Sequence, residues 1–170
     1  FARNLEHTLV WSDPGYLELA LESDDETRKQ FPYDFRLLST FTLEGDKVHH
    51  TLTVENLDEE ALPFGIGYHP GFQVPFDDKH TAADYELRFS DMESPLCVNN
   101  LPKGLVHGNL YYLGTNIDAL PVCPELFAND SHCMTNLVSD TLGIYEKGTG
   151  RAVICHIADF PYTLIWSKPG

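Results

Sequence analysis

Positive charge is scarce in this sequence. Eleven lysines and arginines face 26 aspartates and glutamates, a formal charge of −15, and the densest basic group is the adjacent pair Arg28 and Lys29. A surface this acidic repels phosphate backbones and anionic head groups, so neither nucleic acid nor membrane is an expected partner, and a small or neutral ligand is. Long apolar runs are missing too: none approaches the roughly 20 residues that a membrane-spanning helix requires. No C-x-x-C pair occurs, and a chain of 170 residues with 42% hydrophobic content can bury a core without disulfide staples. Cys97, Cys123, Cys133 and Cys155 therefore read as reduced thiols. With no apolar signal segment at residues 1–4, a cytoplasmic setting is the expectation.

What is present repeats with a period of two. Leu17, Leu19 and Leu21 alternate with Glu18, Ala20 and Glu22; Phe35, Leu37, Phe41 and Leu43 share one face of the next segment, and Val48, Leu52 and Val54 one face of the segment after it. Such alternation is the mark of half-buried strands. Glu44, Gly45 and Asp46 supply a short hairpin loop, and residues 56–60 a following turn. Further strands are expected at 85–89, 110–113, 142–145, 152–157 and 162–166. Only residues 23–30 look helical, with Ser23 and Glu26 at the spacing of a capping box. No repeat, low-complexity tract or linker-like shift in composition divides the chain. The expected fold is all-β, an antiparallel β-sandwich in one domain over residues 1–170.

Eight histidines in an all-β chain raise the question of a cupin-like metal centre, but H-x-H, H-x-x-x-H and H-E-x-x-H are all absent. His49 and His50 are adjacent and so fall on opposite faces of their strand, one toward the core and one toward solvent. No metal site is expected. A G-x-S-x-G elbow is absent, and Gly65-Ile66-Gly67 lacks the third glycine and the helix of a phosphate loop. His69 stands apart, set in the stretch F-G-I-G-Y-H-P-G-F-Q-V-P-F at 64–76 among three glycines, two prolines and four aromatics. Gly65, Gly67 and Gly71 permit backbone conformations closed to other residues, and Pro70 biases His69 toward extended geometry. Two readings stand on these residues alone: a satisfied core histidine beside a sheet bend, or an imidazole held in one orientation for chemistry.

Five ordered motifs resemble one family across essentially the whole chain. F-A-R-N at 1–4 is similar to the tail of the H-G-F-A-R motif of aldose 1-epimerases (galactose mutarotases). F-P-Y-D-F-R-L-L at 31–38, F-T-L-E-G at 41–45 and L-T-V-E-N at 52–56 resemble the family's central strands, and P-F-G-I-G-Y-H-P-G-F at 63–72 its G-x-H-P-x-F signature. L-F-A-N-D at 126–130 and L-I-W-S-K-P-G at 164–170 fit as well. The resemblance implies a β-supersandwich and the interconversion of α and β anomers of a free aldose, with no cofactor or metal and a small-molecule sugar as the partner.

By the same resemblance, His69 is the catalytic acid, a role that suits histidine as a residue type because its unperturbed pKa of about 6.5 lets it give and retake a proton near neutrality. Asp130 matches the aspartate that binds sugar hydroxyls, against the simpler reading of a turn residue. Arg3 matches the arginine that orients the substrate, against that of a surface arginine. Phe72 and Trp166 are candidates for stacking on the sugar or for the core. Two departures accompany the matches. The family's first active-site histidine would lie two positions before Phe1, and its general-base glutamate beyond Gly170; Glu55, Glu125 and Glu146 read as surface or turn residues. The expectation is an internal fragment of a larger domain that holds the acid without its base. A carbohydrate-binding sandwich without turnover is the alternative.

Overall fold

The structure is a computed structural model that describes residues 1–99, 105–106 and 108–168. The chain divides into two compact units, Phe1–Ile66 and Gly67–Gly170. The first is a four-stranded antiparallel meander of β1 (Thr8–Asp13), β2 (Tyr16–Glu22), β3 (Phe35–Glu44) and β4 (Lys47–Asn56), hydrogen-bonded in that order. Register follows the alternation: Leu17 pairs with Phe41 and Phe41 with His50, Leu19 with Ser39 and Ser39 with Leu52, Leu21 with Leu37 and Leu37 with Val54. These residues share one face, and Thr40, Thr42, Thr51 and Thr53 line the other. Glu44 pairs with Lys47, which leaves Gly45 and Asp46 as a two-residue loop, and Gly45 takes the left-handed φ of +62° that this turn demands.

His50 is the histidine of the adjacent pair that turns inward. Its ring stacks on Phe41 at 4.0 Å and its Nε2 lies 2.8 Å from Ser39 Oγ, while His49 on the opposite face pairs with Glu44 at 3.2 Å. Burial holds the His50 imidazole below its ordinary pKa. Leu43 and Val48, expected on the buried face, are 60% and 66% exposed. They pair with each other beside the β3–β4 turn. The helix is shorter than expected, α1 at Asp25–Arg28, and its cap is shifted by one residue: Asp24 is the N-cap and Thr27 completes the box. Ser23 instead donates to Asp34 Oδ1 and accepts the Phe35 N–H.

The second unit carries two further antiparallel sheets. One is ordered β11-β10-β5-β8, from β5 (Tyr85–Glu93), β8 (Ile117–Pro121), β10 (Thr141–Glu146) and β11 (Ala152–His156). The other is ordered β12-β9-β6-β7, from β6 (Leu96–Val98), β7 (Leu110–Tyr112), β9 (His132–Met134) and β12 (Thr163–Ile165). Both contribute to one core: Leu87, Phe89, Leu120 and Leu142 from the first, Cys97 and Met134 from the second, with Phe127 and Ile157. The unit is therefore an antiparallel sandwich, as its alternation leads one to expect. All four cysteines are free, and Cys97 is fully buried.

Glu93, at the end of β5, is 3% exposed; its Oε1 accepts the N–H groups of Val138 and Ser139, both at 2.8 Å. A buried carboxylate placed this way organises the turn before β10. No helix among the described residues is long and apolar enough to cross a membrane.

Candidate functional site

Residues 61–73 form neither helix nor strand, and all but Leu62 of them are exposed. His69 lies in this stretch, with no hydrogen bond or ion pair to another described residue. The reading of His69 as a satisfied core histidine is thus overturned. So is the conformational role of its glycines: Gly65, Gly67 and Gly71 have ordinary φ values, and a Cβ on any of them would meet nothing within 4 Å. What they provide is an unobstructed backbone. Phe72 and Trp166 are also exposed, at 43% and 52%, so neither is a core aromatic.

On one side the segment is held by Tyr68, whose ring meets Phe160 edge-on at 5.4 Å. Phe160 lines an open groove of about 390 Å³ with Met134, Thr135, Asp159 and Thr163, near the lower end of the roughly 300–1,000 Å³ usual for small-molecule sites.

On the other side it runs into an ionic cluster built around the buried Glu146 and Tyr85. The Phe76 N–H donates to the Tyr85 hydroxyl at 2.8 Å, and that hydroxyl donates to Glu146 Oε2 at 2.5 Å. Arg151 donates to both oxygens of Glu146 and, at 2.5 Å, to Asp77 Oδ2; His80 Nδ1 donates to Asp77 Oδ1 at 2.6 Å. The Arg151 guanidinium and the Tyr85 hydroxyl hold the Glu146 carboxyl down to about 2 against the opposing effect of burial. His80 and Arg151 hold Asp77 well below the usual carboxylate range, and Asp77 in turn raises His80. Asp77, His80 and Glu146 bring three ligand-type atoms within 4.8 Å of one another. Arg151 already supplies the positive charge that a metal would bring there, so the arrangement is that of a closed ion-pair network.

Asp130 lies between a 3₁₀ turn (Pro124–Phe127) and β9, half-buried, with a left-handed φ of +75°. Its N–H donates to the Phe127 carbonyl at 3.2 Å, and its Oδ1 accepts the Ser131 N–H at 2.8 Å. The turn-residue description holds for its backbone. Its Oδ2 makes no bond to a described residue. Arg3 belongs to the first unit, exposed in a 3₁₀ turn at Ala2–Asn4 and without an ion pair among the described residues. The structure joins none of His69, Asp130 and Arg3 to another by a direct bond. Pro169 and Gly170 of the closing motif lie outside the described residues.

A sequence model of the family described as aldose 1-epimerase matches residues 1–117. The chain belongs to the aldose 1-epimerase family. It is 28% identical over 174 residues to the plasmid-borne protein LacX of Lactococcus lactis subsp. lactis, and equally to the chromosomal LacX, a match that covers 98% of this chain and 57% of each relative. Its fold is that of a galactose mutarotase related enzyme from Lactobacillus acidophilus, with a TM-score of 0.89 at 22% identity, over 98% of this chain and 56% of that one. A galactose mutarotase-like protein from Lactobacillus casei ATCC 334 matches at a TM-score of 0.86 and 25% identity, over 99% and 58%. The chain thus spans a little over half the length of these relatives.

Within this aldose 1-epimerase family member, the ionic cluster around Glu146 is what sequence reasoning missed. Glu146, read as a surface or turn residue, is 2% exposed. The signal was there: Glu146 is in phase with Leu142 and Ile144 on β10, so the alternation that buries those leucine and isoleucine side chains buries the carboxylate as well. Motif spacing had no means of finding partners as far apart as 77, 80 and 146.

Proposed function

We propose that this chain carries the acid half of an aldose 1-epimerase, which interconverts the α and β anomers of a free aldose. Mutarotation needs one proton to leave the anomeric hydroxyl and another to reach the ring oxygen. The C1–O5 bond opens, the C1–C2 bond rotates, and the hydroxyl recloses on the other face of the carbonyl. His69 gives its proton to the ring oxygen on opening and takes it back on closure. A carboxylate base removes the anomeric proton and returns it, so neither the protein nor the sugar changes its net proton count. The observation that carries this reading is the exposed His69, bonded to no described residue, in a segment with the family's G-x-H-P-x-F pattern. Asp130 anchors sugar hydroxyls through its unbonded oxygen, and Arg3 orients the ring. The reaction as written uses no metal or organic cofactor.

The base is not among the buried glutamates, since Glu93 is occupied by two backbone amides and Glu146 by Arg151 and Tyr85. In this proposal residues 1–170 form part of a larger supersandwich, and the base comes from the remainder. The apolar face left open at Leu9, Leu43 and Val48 supports that reading. The chain by itself should then bind an apolar dye or self-associate, and should not accelerate mutarotation. A soluble, dye-silent monomer with full activity would contradict it. The saturated glutamates also favour a second reading, a carbohydrate-binding sandwich without turnover. Polarimetry on freshly dissolved α-D-galactose, with equilibrium binding of the same sugar, separates the two: anomer exchange by the whole protein supports the enzyme, and binding alone supports the module.

A further inference from the structure

The loop that carries Asp130 is closed by two side chains with no part in the scheme above. His132 opens β9 and is buried, with Nε2 at 2.5 Å from the Leu126 carbonyl and Nδ1 at 2.7 Å from the Tyr111 hydroxyl. A carbonyl can only accept, so Nε2 carries the proton and the Nδ1 lone pair is left to accept from the phenol. Burial pushes the Tyr111 hydroxyl up to about 12, which keeps it protonated as the donor. Tyr111 is fixed in turn by the sheet: it pairs with Cys97 on β6, and Cys97 pairs with Met134 on β9.

The imidazole therefore bridges the loop's two ends, Leu126 and the first residue of β9, with Phe127 packed at 6.4 Å from its ring. Between them Asp130 takes the left-handed φ of +75° that L-residues rarely adopt. Such a conformation persists where the surroundings over-determine it. Here the imidazole clamp, the Asp130 N–H bond to Phe127 and the Ser131 N–H bond to Oδ1 do so together.

We propose that Tyr111 and His132 are a positioning pair for Asp130: the phenol orients the imidazole, the imidazole clamps the Leu126 carbonyl, and the clamped loop presents Asp130 Oδ2 to a sugar hydroxyl. The proposal rests on Asp130 being a sugar-binding residue, as in the proposed function, and its two consequences can be read separately.

The first is local. In the whole protein, Tyr111→Phe removes a single oxygen, and amide hydrogen exchange at Ser131 should quicken about tenfold, the worth of roughly one hydrogen bond, while core amides of β5 and β10 keep their protection. His132→Gln should quicken it further. The second is functional. Tyr111→Phe should weaken the binding of D-galactose about tenfold, and in an Asp130→Asn background it should weaken it no more, because the pair acts only through that carboxylate.

Unchanged Ser131 exchange in Tyr111→Phe overturns the clamp, and so does a full additional loss of affinity in the Asp130→Asn background. If His132→Gln fails to fold, Tyr111→Phe alone decides. If the unsubstituted protein does not bind D-galactose, the sugar-binding role of Asp130 falls, while Ser131 exchange still tests whether the pair holds the loop.

Discussion

Two stretches joined through Phe76 and Asp77 treat their polar groups in opposite ways. Over residues 64–73 the chain is exposed, and His69 has no bonded partner among the described residues. A few residues later, Asp77, His80, Tyr85, Glu146 and Arg151 satisfy one another so fully that the Glu146 carboxylate, 2% exposed, bonds both a hydroxyl and a guanidinium. Burial of a charge is costly unless it is paired, so the cluster's chemistry is used up in holding the fold. The imidazole of His69 is exposed and bonds no described residue. Where several titratable side chains crowd together here, they hold the fold; the proposed chemistry is assigned to the solitary one.

Substitutions can sharpen that contrast or break it. The largest effect on stability is expected at Glu93→Ala, which takes the acceptor from the Val138 and Ser139 amides and leaves the buried Ser139 N–H unpaired at roughly 1–3 kcal/mol. Glu93→Gln keeps an oxygen in place and should recover most of the loss in urea denaturation. A medium effect depends on pH. Glu146 ordinarily titrates near 4.5 and is held at about 2 in the fold, so its contribution is present above 4.5 and lost as pH falls toward 2. His80 is raised from 6.5, so its contribution is complete below 6.5 and lost as pH climbs through its folded value. The cluster should hold best between about 4.5 and 6.5. The difference in melting temperature between the unsubstituted protein and His80→Asn should be greatest in that window and shrink above it; a difference independent of pH would dissolve the ion-pair account. The smallest effect belongs to Gly67→Ala, where a Cβ meets nothing within 4 Å and φ is ordinary. Stability should change by no more than about 0.5 kcal/mol, and a loss several times larger would show that the 64–73 stretch is packed after all.

The sequence made the long, regular strands legible. β3 and β4 hold their alternation over ten residues each and meet at a glycine that must be left-handed, so register and turn both show in the letters. β1 was not anticipated, because every residue in it is exposed and its pairing shifts between Leu9 and Trp11, which erases the period. β6 and β9 are three residues each, too short for any period to show. The candidates His69 and Asp130 come from likeness to a family; no spacing rule in this chain picks them out. The exposure of His69 was not legible, because a glycine-rich stretch with alternating aromatics reads the same whether it turns toward a core or toward solvent. The Tyr111–His132 contact crosses from β7 to β9 and depends on a sheet order, β9-β6-β7, that local sequence does not encode.

The most direct test of the central claim is the polarimetric rate of α-to-β conversion of D-galactose by the whole protein, with and without His69→Gln. If His69 is the proton donor to the ring oxygen, the substitution should lower the catalysed rate by about two orders of magnitude or more, with an unchanged melting temperature, since the imidazole bonds no described residue. An undiminished rate in a folded variant would remove His69 from the reaction.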